Sequence, residues 1–413
     1  MFDSVKGYQV VDSYWYDKVP SHWKKTKNKY VFNQNKHVVG KDWERLTLLT
    51  MGKSGVKPRD MDGGGKFPAS FENYQTVEPN QLIFCLFDLD ETPRTIGISK
   101  DYGMITSAYD VFSTTESNDP NFWTYFYQMI DDHKGLRPFY TGLRKVVRSE
   151  TFMSIEVFSP PLEEQKLISR YLDKKIDHID KLIEKIQLKI NLLDEKHTSL
   201  IKQCVAEDFD SNVNVNYNNS ETRKKKIKYL FKISKGAMPQ ILNNEIKKDN
   251  FPYLSMNVLR GGRPTEFTKI DNCVFVSKGD IGILWDGSNA GEILKMNLDG
   301  VLSSTVALLT IKDPNLNQNY AFYVLKSYEN LIKFNTIGMG IPHVDGNSLK
   351  NIEVYLPSID IQKKIVNNLE KKLSKLIKLR SYHFDKFLLL KEYRQSLISS
   401  AVTGKIRITE NMI

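Results

Sequence analysis

Cysteine is scarce in this sequence. Three residues, Cys85, Cys204 and Cys273, occur among 413, widely spaced and set among apolar neighbours. An odd, scattered set of this kind predicts free thiols in a reducing compartment rather than a disulfide framework. No two cysteines have the spacing of zinc ligands, and the seven histidines are not clustered with each other or with cysteine. We therefore expect neither a disulfide-stabilised module nor a metal site.

Long hydrophobic runs are also missing. Apolar runs such as 82–87 are far too short to cross a bilayer, and the first six residues contain no apolar core of the kind found in secretory signals. The hydrophobic fraction of 40% and the aromatic fraction of 11% still suffice for well-packed cores, and 413 residues predict two or three domains. We expect a globular, cytoplasmic protein with no membrane partner.

Motifs of catalysis are absent as well. The stretch 52–54 ends like a phosphate-binding loop, but Thr47 stands where the first glycine of such a loop belongs. Asp88, Asp90 and Glu91 can be interpreted either as oxygen ligands of a divalent cation or as an acidic turn after a buried strand. We find no glycine-rich nucleotide fingerprint after a strand, and no Asn-Pro-Pro-aromatic motif of amino-methylating enzymes. The sequence predicts no catalytic residue and no cofactor or metal bound by this chain.

A long helical repeat between Leu162 and Val205 dominates the sequence. Apolar residues recur there every seven positions and again three positions later, which is the pattern of a coiled-coil seam. A continuous helix of this length would run about 65 Å. The predicted seam comprises Ile176, Ile179, Ile183, Ile186, Ile190, Leu193 and Leu200.

A second copy of this helix lies between Ile359 and Val402. Gln165 aligns with Gln362, and Leu200 with Leu397, so that both pairs are 197 positions apart. Polar residues in the seam can fix register and partner choice at some cost in stability. In the second copy these polar residues are Arg380, His383 and Arg394, and the remaining predicted seam comprises Leu373, Leu376, Phe387, Leu390 and Leu397.

Two globular stretches precede the two helices. Each starts near a lysine-rich segment, contains short predicted strands and one aromatic helix, and closes with a strand before a proline. In the first stretch we predict strands at 81–87 and 106–112 and a helix at 120–130. In the second we predict strands at 273–276, 280–285 and 305–311 and a helix at 319–333.

These observations predict an α+β protein with an internal pseudo-two-fold repeat. Parallel helices would require the chain to return about 65 Å between them, whereas the roughly 17 residues of the linker reach at most about 60 Å. Antiparallel packing needs no such return, so we expect an antiparallel two-helix coiled coil with one globular domain at each end. The predicted segments are a first domain (1–158), a first helix (159–205), a linker (206–222), a second domain (223–356), a second helix (357–404) and a C-terminal tail (405–413).

Positive charge is in excess, since 59 Lys and Arg face 49 Asp and Glu, for a net charge of +10. This balance favours a polyanionic partner. Arginine can bind the edge of guanine with two hydrogen bonds, lysine mainly neutralises phosphate, and short hydroxyls reach base edges or backbone. Each candidate can also be a solvated surface charge or a turn former. The residues that we predict to contact DNA are Lys53, Lys57, Arg59, Arg94, Thr106, Ser107, Arg137, Arg144, Arg260, Arg263, Ser303, Ser304, Thr305, Lys333 and His343.

Four stretches together resemble the specificity subunits of type I restriction-modification enzymes. The resemblance covers nearly the whole chain, and the order domain, helix, domain, helix is its most specific part. The second helix start, 357–362, lacks the Glu-Gln pair of the first, and Pro79-Asn80-Gln81 stands where 278–280 has Lys-Gly-Asp. The stretches that carry the resemblance are 19–23 (VPSHW), 83–95 (IFCLFDLDETPRT), 160–168 (PPLEEQKLI) and 397–405 (LISSAVTGK).

The resemblance implies a subunit without catalysis of its own. Two target recognition domains would each read one half of a split, asymmetric sequence in double-stranded DNA. The helices would set the spacing between the half-sites, and two methyltransferase subunits would dock on the coiled coil. S-adenosylmethionine would be bound by those partners, and ATP and Mg by additional motor-nuclease subunits.

Two other functions remain open at this point. A self-sufficient DNA nuclease or methyltransferase with a degenerate active site would cleave DNA or bind S-adenosylmethionine as an isolated chain. A coiled-coil adaptor that never touches DNA would show no salt-dependent duplex binding, even within its complex.

Overall fold

A computed structural model describes residues 7–52, 55–60, 70–205, 223–245 and 249–413. Within these ranges no helix combines the length and hydropathy that a membrane crossing requires. The chain divides into two compact units, unit 1 with Met1–Gln187 and Asp385–Ile413, and unit 2 with Leu188–Phe384. Both borders fall inside the long helices, so each unit contains half of each helix. The domain boundaries expected from the sequence stay a prediction.

Unit 1 is organised around a four-stranded antiparallel sheet. Its strands are β1 (Tyr8–Val10), β2 (Lys18–Pro20), β3 (Lys24–Lys27), β4 (Phe32–Asn35), β5 (Leu49–Gly52), β6 (Gly55–Pro58), β7 (Gln75–Val77), β8 (Leu82–Phe84), β9 (Ile96–Ile98), β10 (Gly103–Ile105), β11 (Asp110–Thr114) and β12 (Glu156–Ser159). Its helices are α1 (Asn28–Val31), α2 (Pro120–Asp132), α3 (Ser149–Ser154) and the first part of α4 (Leu162–Val205). The sheet has the order β4-β11-β8-β9, and β12 pairs with β3 just before α4.

An aromatic core lies between this sheet and α2. The rings of Phe84 and Tyr127 are 5.2 Å apart and perpendicular, and those of Phe32 and Trp123 are 5.8 Å apart. All four side chains are buried. Edge-to-face ring pairs of this kind add to the stabilisation that burial of their large surface provides. The helix predicted at 120–130 is confirmed and continues to Asp132.

The strand predicted at 106–112 begins later than expected. Thr106–Tyr109 form a turn, in which the amide of Tyr109 donates to the carbonyl of Thr106 at 3.2 Å. The amide of Ala108 also donates to the hydroxyl of Thr106 at 3.3 Å. A short hydroxyl side chain that binds the backbone two residues onward is a typical turn former. The strand β11 therefore starts only at Asp110.

Unit 2 repeats the central sheet of unit 1. Its strands are β13 (Arg223–Lys226), β14 (Phe231–Lys235), β15 (Phe251–Leu254), β16 (Phe267–Thr268), β17 (Phe275–Val276), β18 (Ile281–Leu284), β19 (Ile293–Lys295), β20 (Gly300–Leu302), β21 (Val306–Ile311) and β22 (Glu353–Leu356). Its helices are α5 (Ile227–Leu230), α6 (Met256–Leu259), α7 (Gln318–Ser327), α8 (Glu329–Phe334), α9 (Gly346–Asn351) and the first part of α10 (Ile359–Val402). The sheet order β14-β21-β18-β19 matches that of unit 1, and β22 pairs with β13.

The single helix predicted at 319–333 is wrong in one respect, because it is broken at Tyr328. The carboxylate of Glu329 accepts a hydrogen bond from the amide of Ile293 at 2.9 Å, which holds the start of α8 against β19. Lys326 and Lys333 pair with the same carboxylate at 2.5 and 2.8 Å. The helical periodicity of the sequence gives no indication of this contact between Glu329 and the distant Ile293.

The long helices α4 and α10 have the bounds that the repeat predicts, each with 44 residues. In unit 1, the buried residues Ile168 and Leu172, near the start of α4, share a core with Ile398 and Val402, near the end of α10. In unit 2 the end of α4 shares a core with the start of α10, for example Ile201 with Leu369. Start packs against end in both units, as antiparallel helices do.

All twelve predicted seam residues are buried or half-buried. Two of the polar residues in the second helix form ion pairs with the first: Arg394 Nε is 2.8 Å from Asp180 in unit 1, and Arg380 Nε is 2.5 Å from Asp194 in unit 2. The seam therefore alternates apolar packing with ion pairs. The seam residues are Ile176, Ile179, Ile183, Ile186, Ile190, Leu193, Leu200, Leu373, Leu376, Phe387, Leu390 and Leu397.

The residues after α10 pack on unit 1. Ile406 and Ile408 are buried in its core. Gly404 has a φ of +68°, and a Cβ at that position would lie 2.5 Å from the ring of Pro20, so only glycine fits. The hydroxyl of Tyr8, in β1, donates to the carbonyl of Gly404 at 3.1 Å. The C-terminal residues thus complete the core that the N-terminal residues begin.

Candidate nucleic-acid interface

A buried glutamine joins α2 of unit 1 to its long helix. The side-chain oxygen of Gln165 accepts a hydrogen bond from the amide of Asp119 at 2.9 Å, and its nitrogen donates to the carbonyl of Pro160 at 2.9 Å. The carboxylate of Asp119 in turn accepts from the amide of Phe122 and caps α2. Because Gln165 lies in the first turn of α4, it links the start of α2 with the start of α4.

Gln362 repeats this arrangement in unit 2. Its side-chain oxygen accepts from the amide of Asn317, the cap of α7, at 2.8 Å. Its nitrogen donates to the carbonyls of Asn315 and Pro357 at 2.7 and 2.8 Å. The first helix also has Glu164, which lies 2.7 Å from His22, whereas the corresponding Ile361 packs in the apolar core of unit 2. The glutamine is therefore the shared part of the two helix starts.

Three loops of unit 1 meet at one edge of the central sheet, here called loop edge 1: residues 85–93 after β8, 106–109 before β11, and the hairpin 141–147. The strands β8 and β11 are antiparallel, so the end of one lies beside the start of the other. The hairpin is attached to the first loop by two backbone bonds, from the amide of Val147 to the carbonyl of Leu86 at 2.9 Å and from the amide of Asp88 to the carbonyl of Arg144 at 3.0 Å.

Basic and acidic side chains are paired across loop edge 1. Arg144 contacts Asp88 at 2.9 Å, and Arg137 contacts Asp90 at 3.1 Å. Lys145 contacts Asp90 at 3.0 Å, and this pair together with Arg137 lowers the pKa of the Asp90 carboxyl. Among the described residues no group of His, Cys, Asp and Glu has the composition of a metal site. The acidic-turn interpretation of this stretch agrees with these pairs.

Unit 2 has an equivalent edge, loop edge 2, formed by residues 285–292, 303–305 and 337–344. The amide of Trp285 donates to the carbonyl of Thr305 at 2.7 Å, and the amide of Val344 donates to the carbonyl of Trp285 at 2.9 Å. Asp286 lies 2.7 Å from both His343 and Lys235. Partial burial raises the pKa of Asp286, but the hydrogen bonds from Lys235 and His343 outweigh it and lower the pKa overall.

Eight of the residues predicted to bind DNA lie on the two loop edges or next to them. On or beside loop edge 1, Arg144 leaves 72% of its side chain exposed and Arg137 63%, so both remain accessible although they are paired. Ser303 on loop edge 2 is buried and accepts from the hydroxyl of Tyr253 at 3.3 Å, which indicates a supporting role. The eight are Thr106, Ser107, Arg137, Arg144, Ser303, Ser304, Thr305 and His343.

The other predicted residues lie elsewhere. Arg94 is 19% exposed and pairs with Asp131 and Asp132 at the end of α2. Arg260 pairs with Glu292 at the margin of loop edge 2, and Lys333 pairs with Glu329. Lys57 and Arg59 belong to the exposed segment at and after β6, Arg263 is exposed after α6, and Lys53 lies outside the described residues.

Sequence reasoning missed the tips of the two hairpins. Leu143 and Met339 are the residues concerned, with exposures of 103% and 110%. Glycines flank both positions, Gly142 before Leu143 and Gly338 before Met339, and glycine is a turn signal that predicts a hairpin tip. The sequence does not indicate at which edge of the sheet these two turns lie.

Comparison with known proteins points to one family. Residues 219–381 match the family described as type I restriction modification DNA specificity domain. The MjaVIII type I specificity subunit of Methanocaldococcus jannaschii is 43% identical over 140 residues, 34% of this chain and 32% of that protein. The EcoBI type I specificity subunit of Escherichia coli is 24% identical over 162 residues, 39% of this chain and 34% of that protein. Each match thus spans about a third of the relative's length.

A solved structure shows the same fold over nearly the whole chain. This structure concerns complex assembly and conformational transition of the type I R-M system. The superposition has a TM-score of 0.70 at 13% identity and covers 94% of this chain and 99% of the other. These findings confirm the resemblance to type I specificity subunits that the sequence motifs indicated, together with the predicted fold class.

Proposed function

We propose that this chain, related to the specificity subunits of type I restriction-modification enzymes, is the DNA-recognition subunit of such a complex. The observation that carries the proposal is the match of residues 219–381 to a DNA specificity domain, because this range contains the whole of loop edge 2. Unit 1 has a sheet of the same strand order with loops at the same edge, so both units are assigned the same task.

Each loop edge offers groups that distinguish base pairs. An exposed arginine such as Arg144 can donate two hydrogen bonds to guanine, and a carboxylate such as Asp88 can accept one from cytosine. The ion pair between them holds both side chains at defined positions before DNA arrives. Pre-positioning lowers the conformational entropy lost on binding. We assign phosphate contacts rather than base reading to Lys57, Arg59 and Arg263. Such contacts set the register of the protein on the duplex.

The two loop edges differ in chemistry, which favours an asymmetric target. Loop edge 1 and its margin present Arg137, Arg144 and Lys145. The corresponding part of unit 2 presents exposed apolar residues such as Phe334 and Ile341. Two surfaces with different donors cannot read the same base pairs equally well. The target is therefore a bipartite sequence whose two halves differ.

The long helices supply docking surface for methyltransferase subunits. In unit 2 the exposed residues Leu192, Ile377 and Tyr382 lie on these helices, and in unit 1 Leu389 and Tyr393 do. Large apolar residues that stay exposed along these helices offer surface that a partner protein can bury. Two methyltransferase subunits would dock here. S-adenosylmethionine would be bound by these partners, and ATP and Mg by motor-nuclease subunits, while this chain recognises sequence without catalysing a reaction.

The test is reconstitution with the methyltransferase subunits, followed by methylation-aware sequencing of DNA treated with S-adenosylmethionine. We expect one bipartite motif to be modified, and none without this chain. Cleavage of DNA or binding of S-adenosylmethionine by the isolated chain would instead establish the self-sufficient enzyme. A complex that shows no salt-dependent duplex binding would identify an adaptor.

A further inference from the structure

Each unit fully exposes a large apolar side chain at the tip of a hairpin. Leu143 is 103% exposed on the hairpin before α3, and Met339 is 110% exposed on the hairpin before α9. The two hairpins hold equivalent places in the repeat, although their sequences differ. A single exposed apolar residue is common on a protein surface and needs no explanation. Full exposure at the same place in both units indicates a shared task.

Both hairpins are braced by backbone hydrogen bonds. In unit 2 the amide of Gly287 donates to the carbonyl of Pro342 at 2.9 Å, and Ile337 and His343 exchange two bonds of 2.9 and 2.7 Å. Gly338 has a φ of +110°, and a Cβ there would lie 2.6 Å from the carbonyl oxygen of Ile341. The turn thus requires glycine, which fixes the direction of the tip. A braced tip loses little conformational freedom when it meets a partner.

Polar groups and apolar surface adjoin at these tips. Leu143 is followed directly by Arg144 and Lys145, both on loop edge 1. Close to Met339 in the chain, Phe334 and Ile341 are exposed as well. Large apolar residues that are exposed this close together in the chain, next to polar groups, are candidates for a binding surface.

We propose that Leu143 and Met339 read DNA directly, each through apolar contact with bases of its half-site. The proposal rests on the proposed function, which places both loop edges on the duplex. DNA is the occupant because the tips lie on the same edges as the arginine and hydroxyl side chains, and because the DNA specificity match includes the hairpin of Met339. The apolar features of bases are the methyl group of thymine in the major groove and the face of a base at an opened step.

The test uses the full chain in complex with its methyltransferase subunits. Affinity is measured for a duplex carrying the motif found by methylation-aware sequencing and for a scrambled duplex at the same salt concentration. Met339→Ala lowers the ratio of the two affinities about 5- to 30-fold, because a buried apolar contact is lost. Met339→Leu restores most of the ratio. Leu143→Ala acts in the same way on the other half-site.

Matched controls are truncations of exposed apolar residues elsewhere, Ile270→Ala in unit 2 and Val10→Ala in unit 1, which leave the ratio unchanged. Thermal melting shows that all variants are folded. Replacing thymine by uracil one position at a time identifies a methyl contact, if wild type loses affinity and Met339→Ala does not. A rise in 2-aminopurine fluorescence with wild type alone identifies contact with an unstacked base. Either result supports the proposal.

Two results would overturn the inference in distinguishable ways. If the wild-type complex discriminates between the duplexes and both alanine variants discriminate equally well, the tips do not read bases and the proposed function stands. If the wild-type complex does not discriminate at all, the proposed function fails and this inference fails with it.

Discussion

Gln165 and Gln362 each connect three chain segments through one amide. Both are buried, and each joins the cap of a domain helix to the first turn of a long helix. An amide is suited to this position because it accepts from one backbone group and donates to others at the same time. A single neutral side chain in each unit thus ties a domain helix to the start of a long helix.

We expect Gln362→Met to destabilise the protein by about 3 kcal/mol, because methionine has similar length but leaves buried backbone groups of Asn315, Asn317 and Pro357 without partners. Urea unfolding of the full chain measures the change in the free energy of unfolding. The matched control is Gln318→Met, whose amide makes one exposed bond to the carbonyl of Gly279. Equal effects of the two substitutions would contradict the proposed role of Gln362.

Asp313 makes the stability of unit 2 dependent on pH. Its carboxylate accepts from Lys225 at 2.6 Å and from the amide of Asn315, and these bonds lower its pKa in the folded state. A lowered folded pKa stabilises the fold above the pKa of the unfolded chain, about 3.9, and this contribution is lost as the pH falls through the folded value. Asp313→Asn should therefore flatten the decline of the urea midpoint below about pH 4, and Asp271→Asn, at an exposed position, should not.

At the scale of the elements, the helices were predictable and the loop edges were not. The heptad pattern repeats many times along α4, so its bounds follow from the sequence alone. The interruption at Tyr328 depends on a bond between Glu329 and Ile293, which are 36 residues apart. The hairpin of Leu143 joins loop edge 1 through contacts with residues more than 50 positions away. Local periodicity contains no information about such distant pairings.

The ion pairs between α4 and α10 should contribute little stability. Arg380 and Asp194 are each about half exposed, at 46% and 50%, and exposed pairs contribute at most about 1 kcal/mol because water and salt screen them. A double-mutant cycle with Arg380→Ala and Asp194→Ala should give a coupling below that value. The same cycle at Arg394 and Asp180 should give a larger coupling, since Arg394 is 24% exposed. The reverse order of the two couplings would refute the burial argument.

At the scale of the whole molecule, the two units share one strand order in the central sheet but have different loop edges. The repeat conserves the strands, the capping residues Asp119 and Asn317 and the glutamine at each helix start, while the loop edges differ. Sequence comparison within the chain therefore revealed the scaffold readily. It did not reveal which loop residues meet, because those residues are the ones that differ between the two copies.

The two long helices both pass from one unit into the other, which makes their length testable. Inserting one heptad into each helix at the unit borders preserves the seam and adds about 10 Å of helix. We expect the unread spacer of the recognised motif to lengthen by about three base pairs, at 3.4 Å each. Methylation-aware sequencing measures the motif directly. An insertion of seven residues in α4 alone is the control, and it should abolish recognition by breaking the register of the helix pair.

The burial of Ile406 and Ile408 in the core of unit 1 has a consequence for biosynthesis. The ribosome makes the first sheet early, but the hydrophobic surface that Ile406 and Ile408 cover stays exposed until these two residues emerge. Unit 2 is synthesised completely in that interval and can fold first. Contacts between residues nearly 400 positions apart, such as Tyr8 with Gly404, close late and slowly. Nascent chains are accordingly expected to need chaperone protection at unit 1 until residues 404–408 have been synthesised.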